Sequence, residues 1–442
     1  MTGEHLRDLF TTVFDRGELT RLAAHYELAR RERDIDVVEF LVALVLTAGT
    51  HEGGRQYDVL RTYVENGNPP VKRQSFYAWF HDPLVHVLEA MLASAIARGL
   101  EQPKLLPGSL GSVTDWRVVD STTIRLPNAA AGDFPGAGEY AAVKIHKEYS
   151  LGCGNLVSYA FGPSREHDSR YFTIDERRRG TGVLADLAYA SFAMMRACET
   201  QYVKYVIRLK EGWKPKVDRL LRGAVTAEVG IGDDFDVLLA NDVVLLEGRS
   251  IDCDVTLGKG PDAVASRLVG VPTPKGYCFF LTNLSRVTHG PLQVGELYRC
   301  RWEIEIDNKL EKTGARLDEI CASKPASIRS LLLASMLNAT LARIVVQSEK
   351  VAIRKGKKEN EPAGRAPLHG ILVLKALASA HGTLTRLLFE EQVSLLEWNR
   401  LMSRLRHFGE DPSWRLRPSV LDRLQGLTAP PPGRLKKQAK VA

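Results

Sequence analysis

Apolar residues recur three and four positions apart through the first hundred residues. The stretches VVEFLVALVLTAG (37–49) and PLVHVLEAMLASAIARGL (83–100) carry that period and run out at or near a glycine, which predicts two helices ended by a residue that tolerates left-handed backbone. Between them, NGNPPVKRQSFYAWF (66–80) gives a turn and then a short basic, aromatic segment. It has two readings. Lys72 and Arg73 belong to a DNA-reading helix after a turn, or Tyr77 and Trp79 are core and the basic residues are solvated.

After LPGSLGSV (106–113) the period shortens to that of strands. WRVVDSTTIRL (116–126), YAAVKIHKEYSL (140–151) and NLVSYAFG (155–162) are short, β-rich and separated by Gly, Pro and Asn, as strands should be. RRRGTGVLADLAYASFAMMRACE (177–199) reads as strand, turn and helix, and YVKYVIRLK (202–210) as another strand. Strands alternating with helices predict an α/β core. Residues 214–276 read as strands and turns without a clear helix, YCFFLTNLS (277–285) resumes the core, and IRSLLLASMLNATLARIVVQ (328–347) is an apolar helix. The division expected is a helical N-terminal domain (1–110), a core in two parts (111–213 and 277–345) interrupted by an all-β insertion (214–276), and a helical C-terminal region (346–442) whose end, PPPGRLKKQAKVA, is expected to be disordered.

Composition narrows the chemistry. The 442 residues are 44% hydrophobic and 26% charged, ordinary for a globular protein. No uninterrupted apolar run approaches the ~20 residues of a membrane span, and MTGEHLRDLFTTVF has no signal-peptide core, so the expected place is the cytoplasm and no membrane partner is expected. Six scattered cysteines form no CxxC pair and the histidines no HxxxH group, which argues against structural zinc and a disulfide framework. GCG (152–154) and GKG (258–260) lack the strand and helix context of nucleotide loops. The net charge of +7 is mildly in favour of a polyanionic partner.

The densest chemistry lies in ELYRCRWEIEIDNKLEKTGARLD (296–318). At about 100° per residue, Tyr298, Arg301, Glu305 and Lys312 fall in one stripe roughly 60° wide, with Glu303, Asp307 and Glu311 facing away. Such a pattern also describes a solvated helix laced with ion pairs. Two further carboxylates follow apolar strand residues: Asp120 after RVV and Asp186 after GVLA. Each alone reads as a turn or capping Asp. Together with Glu305 they make a set that could hold two hard divalent cations, and two such ions serve phosphodiester displacement.

The Tyr298–Arg301–Glu305–Lys312 spacing, the surrounding RWEIE and KTGA, and Asp120 in VVDSTT resemble the DDE transposases of the insertion-sequence-four family over residues 115–345. The resemblance implies a ribonuclease-H-like core with a β insertion between the second Asp and the Glu. It implies Asp120, Asp186 and Glu305 as catalytic ligands of two Mg2+ ions (Mn2+ substituting), and Tyr298, Arg301 and Lys312 as phosphate contacts. It further implies double-stranded DNA partners, the terminal inverted repeats and target DNA, a hairpin during excision, synapsis by a homodimer, and work at the nucleoid. Tyr277 stands 21 residues before Tyr298, where some relatives carry a base-stacking tryptophan.

His146 and Lys147 in KIHKEY are further candidate DNA contacts, with Lys144, His167 and Asp168 near the same side of the sheet. Arg177–Arg179 read as a phosphate patch or a solvated run. A catalytically silent, domesticated DNA-binding descendant and a carboxylate-pair glycosidase are the alternatives, the second disfavoured by the Arg and Lys beside Glu305.

Overall fold

The computed structural model describes residues 1–28, 35–47, 55–222, 234–235, 250–357 and 362–429. The expected tail at 430–442 lies outside them. Six helices lead: α1 (Gly3–Val13), α2 (Arg16–His25), α3 (Val37–Thr47), α4 (Gln56–Glu65), α5 (Arg73–Tyr77) and α6 (Asp82–Leu100). Helix α3 is apolar on all sides, and Phe40 to Thr47 are buried without exception, as an internal helix requires. Phe76, Trp79 and Phe80 close around it, with ring centroids 5.2, 5.3 and 5.7 Å from Phe40. The aromatics of 66–80 are therefore core, while Lys72 and Arg73 are exposed and Arg73 lies over the Tyr57 ring.

Next come β1 (Trp116–Leu126), β2 (Ala141–Ser150), β3 (Asn155–Pro163), β4 (Gly182–Ala185), α7 (Phe192–Thr200), β5 (Lys204–Arg208), β6 (Lys216–Arg222), β7 (Ile251–Leu257), β8 (Val264–Thr273) and β9 (Gly276–Thr282). They form one nine-stranded sheet in the order β3-β2-β1-β4-β5-β9-β8-β7-β6. Strands β1, β4 and β5 run parallel and the other pairs antiparallel. Gly182 to Ala185 are all buried, the continuous apolar run of a strand covered on both faces. A parallel neighbour demands a crossover, and α7 supplies it, started by Ser191 Oγ accepting from Met194 N at 3.1 Å. The described strands of 214–276 extend this core sheet through β9; residues 223–233 and 236–249 of that stretch lie outside the described set.

One contact fixes the β1–β4 register. Trp116 is fully buried, donates from Nε1 to Leu110 O at 3.1 Å and pairs with Gly182. A Cβ on Gly182 would stand 2.4 Å from the Trp116 ring, so only glycine lets the strands close here.

The chain continues through α8 (Pro291–Arg299), α9 (Trp302–Lys309), α10 (Pro325–Lys355), α11 (Gly370–Ser379), α12 (His381–Phe389), α13 (Leu395–Gly409) and α14 (Val420–Leu424). Helices α6 and α10 are long and apolar enough to cross a membrane by length and composition, because scattered polar residues interrupt an apolar run without lowering its mean hydropathy enough. Helix α10 packs against α6, α3 and β3, and 94% of its most apolar window is buried inside the protein. The fold is mixed α/β, one broad sheet flanked by helical layers at both ends of the chain.

Candidate active site

The parallel register assembles the first two carboxylates. Val119 pairs with Ala185, the last matched positions of β1 and β4. Asp120 and Asp186 are the next residue on each strand, so they stand side by side where β4 ends. The next strand adds a third member to the row: Ala185 pairs with Ile207, putting exposed Arg208 level with Asp186. Asp120 is not at a strand end, as the sequence suggested. It lies inside β1, which runs on to Leu126 because β2 remains its partner after β4 has stopped.

Glu305 comes from α9. The single straight helix expected over the motif is broken: α8 ends at Arg299, α9 begins at Trp302, and residues 310–314 form a π turn. The break turns Arg301 into the start of α9. Its guanidinium donates to Glu305 Oε1 at 2.6 Å, lies 5.9 Å from the Tyr298 ring centroid and feels the charges of Asp186 and Asp120. Burial pushes the Arg301 pKa down, but the Glu305 bond, Tyr298 and Asp186 leave it raised. One turn past Glu305, Asn308 Nδ2 donates to Asp120 Oδ2 at 3.0 Å, while its Oδ1 is buried without a partner.

Burial raises the Asp120 pKa and Asp186 adds to it; the Ser121 N–H, Arg301 and Lys147 pull the other way. Tyr298 is buried against Phe280, 4.9 Å between ring centroids. Burial is the main cause of its pKa rise to about 12, with Asp186 raising it further and Arg301 and Arg208 opposing. Three carboxylates thus surround one guanidinium. Among the described residues no three of His, Cys, Asp and Glu stand close enough together to hold a metal ion, so the expected convergence on a shared ion is not the arrangement seen.

The remaining predicted residues scatter. Lys312 is half-buried in the π turn, where the wider backbone spiral carries it off the straight-helix stripe. Tyr277 is half-buried at the start of β9, stacked on Phe279 at 5.9 Å and 10°.

His146 and Lys147 do not present themselves to DNA, which corrects both expectations. His146 is 4% exposed, stacked on Tyr171 at 3.7 Å, and burial lowers its pKa to about 4. The Lys147 side chain is fully buried, bound to Asp307 at 2.7 Å and Glu311 at 3.0 Å. Lys144 binds Asp168 at 2.9 Å, with Ser121 Oγ at 3.0 Å from the same carboxylate, while His167 takes up a local bond to Ser169. In the 177–179 run, Arg177 pairs with Asp175, Arg178 with Glu148, and Arg179 lies over Tyr202.

The residues facing away from Glu305 are not solvated either. Asp307 and Glu311 are buried and shared by Lys147 and Arg343. Glu303 borders a 780 Å³ groove between α9 and the C-terminal region, and burial raises its pKa to about 7. Sequence reasoning missed Arg208 and Asn308. Asn308 follows Glu305 by three, the helical signal for a shared face, and Arg208 is the first charge after the apolar run of β5.

Residues 112–341, over half of the chain, match the family model described as a transposase DDE domain. The chain belongs to that family. Among similar curated proteins is the transposase of insertion sequence element IS231C from Bacillus thuringiensis subsp. berliner, 31% identical over 99 residues, which cover 21% of each chain. Another is the transposase of IS231F from Bacillus thuringiensis subsp. israelensis, 23% identical over 316 residues, covering 62% of this chain and 65% of that one. The chain thus spans between about a fifth and two thirds of the length of these relatives. A piggyBac transposase in a synaptic complex with hairpin DNA aligns over 90% of this chain and 84% of its own, with a TM-score of 0.47 and 13% identity.

Proposed function

We propose that the chain is a DNA transposase that cuts phosphodiester bonds at the ends of an insertion sequence and joins the freed ends to target DNA, using divalent metal ions. The observation that carries this reading is the register row: Asp120 and Asp186 one residue past Val119–Ala185, with Arg301 linking them to Glu305. Within the reading, the parallel core with its antiparallel edge is ribonuclease-H-like, and the Tyr298–Arg301–Glu305–Lys312 spacing supports the insertion-sequence-four class.

The donor set fits a hard divalent cation in kind. Three carboxylates and the unpartnered amide oxygen of Asn308 offer only oxygen, the preference of Mg2+ with Mn2+ as its substitute. We take Asp120, Asp186 and Glu305 as the holders of two such ions. When bound, the metal would polarise the scissile phosphate and lower the pKa of the attacking water.

The chain's own residues do the rest. Arg301 bonds Glu305 and is drawn to Asp186, and its planar fork would match the phosphate oxygens of a DNA backbone. Arg208 and Lys312 add point charges to the DNA backbone, Tyr298 a hydroxyl, and Tyr277 a ring at the same end of the sheet. Lys72 and Arg73, exposed on the N-terminal helices, suit contact with the inverted repeats. Strand exchange conserves phosphodiester bonds, so no nucleotide has to be hydrolysed. Two copies holding two ends, at the nucleoid in the cytoplasm, complete the proposal.

The test is single-turnover cleavage of a labelled element end with Mg2+ and with chelator. Metal-dependent nicking by the wild-type chain that disappears in Glu305→Gln, with DNA binding retained, supports the reading. Binding without nicking in the wild type overturns it in favour of a silent DNA-binding descendant.

A further inference from the structure

Lys147 stands in register beside Asp120 and is bonded to the acids behind Glu305. On β2 it pairs in register with Asp120 on β1, and paired residues of neighbouring strands project from the same face of the sheet. Its charge is one of those that pull the Asp120 pKa down against burial. The same ammonium binds Asp307 at 2.7 Å and Glu311 at 3.0 Å, on the rear of α9 and in the π turn. Arg343 of α10 binds the same two carboxylates from the other side. All four side chains are 3% exposed or less. Asp307 is followed directly by Asn308, the residue that donates to Asp120.

We propose that Lys147 is a positioning residue, which ties α9 to β2, the strand paired with that of Asp120, and so sets the spacing between Asp120 and Glu305. The inference rests on the transposase reading and assigns it a part beyond the carboxylates. A buried ion pair of this kind contributes little net stability over an apolar packing, whereas its directional bonds fix how one element sits on another. Asp307 and Glu311, four residues apart, are one turn apart on the same side of the chain, and both reach one ammonium.

The sign of one measurement separates this from a purely electrostatic role. Removing a cation beside Asp120 would by charge alone tighten binding of a divalent ion. Releasing α9 would weaken it. The experiment compares the wild-type chain, Lys147→Met, and Lys147→Met with Glu311→Gln, in which the buried charges balance again. The readouts are Mn2+ affinity of the DNA-free chain by calorimetry, amide exchange of residues 303–312 without metal, thermal midpoint, DNA-end binding and single-turnover cleavage.

The expected result is that the double variant recovers the wild-type midpoint and DNA binding. Its Mn2+ affinity and cleavage stay lower by about tenfold or more, the usual effect of a group that orients a metal ligand, and α9 exchanges faster. Unchanged or tighter Mn2+ binding, or cleavage that returns together with the midpoint, overturns the proposal. Should neither Lys147 variant fold, Asp307→Asn loosens the same tie from the helix side, and wild-type behaviour there overturns it equally. A wild-type chain that neither binds Mn2+ nor cuts DNA overturns the transposase reading instead, and the exchange of α9 in the metal-free chain still tests the tie.

Discussion

Behind the site, Asp307 on α9 and Glu311 in the π turn each meet both Lys147 and Arg343. On the front face, Arg301 bonds Glu305 and is the cation near Asp120 and Asp186, burial raises the Asp120 pKa, and Asn308 keeps a buried oxygen with no hydrogen-bond partner. Helix periodicity sorts the two sets of acids onto opposite faces but cannot say which set is saturated. Saturation is the informative difference. A buried polar group without a partner is costly and rare, so an unfinished network beside a finished one marks where something else is meant to bind.

The difference predicts opposite phenotypes for two charge deletions. Arg343→Met strands two buried carboxylates on Lys147 alone and should lower unfolding free energy by about 3–5 kcal/mol, read as a shifted urea midpoint. A midpoint equal to wild type would mean the rear face is no tighter than the front. Glu305→Gln should leave that midpoint in place or raise it, because it relieves excess negative charge. Its cleavage rate should fall on the order of 10²–10³-fold, the scale of losing one preorganised electrostatic group. A stability loss in Glu305→Gln with cleavage retained would reverse the assignment of the two faces.

A smaller effect tests how the front face is built. Gly182→Ala forces a methyl into the Trp116 ring, an overpacking that should cost about 1–3 kcal/mol. Since that contact sets the β1–β4 register, Asp186 should shift against Asp120, and cleavage should fall by more than the loss of folded protein accounts for. Activity that tracks the folded fraction alone would detach the register from the site.

Much of this was legible in the amino-acid pattern, and the failures have physical causes. The alternation of strands and helices was readable, and so was the setting of Asp120 and Asp186, because RVV-Asp and GVLA-Asp set a charge against buried β residues. The place of 214–276 was not readable. Strand periodicity is the same whether strands form their own sheet or extend another, and only the β5–β9 pairing decides it.

Lys147 misled because a lysine in a strand reads as exposed until its partners are known, and both lie 160 or more residues away. The broken helix misled for a local reason. A 100° stripe assumes a straight helix, and neither the interruption at Arg301 nor the π turn at 310–314 leaves a mark in hydrophobic spacing.

The smallest effect concerns Arg301, the cation that occupies the front face. Its bond to Glu305 and its attraction to Asp186 oppose any divalent ion seeking the same oxygens. Replacing it with Met removes one positive charge from a half-buried site, worth about 1 kcal/mol per opposing unit charge at ~4 Å even with the screening of bulk water. Mn2+ should therefore bind the DNA-free Arg301→Met chain several-fold more tightly, while affinity for a DNA end falls for want of a phosphate contact. The rear face predicts the reverse for the same change of charge, since loss of Lys147 should loosen metal binding. Calorimetric titration of both variants measures the two signs side by side. If Arg301→Met binds Mn2+ no better than wild type, the guanidinium is fixing the carboxylates rather than competing for them, and the front face is as structural as the rear.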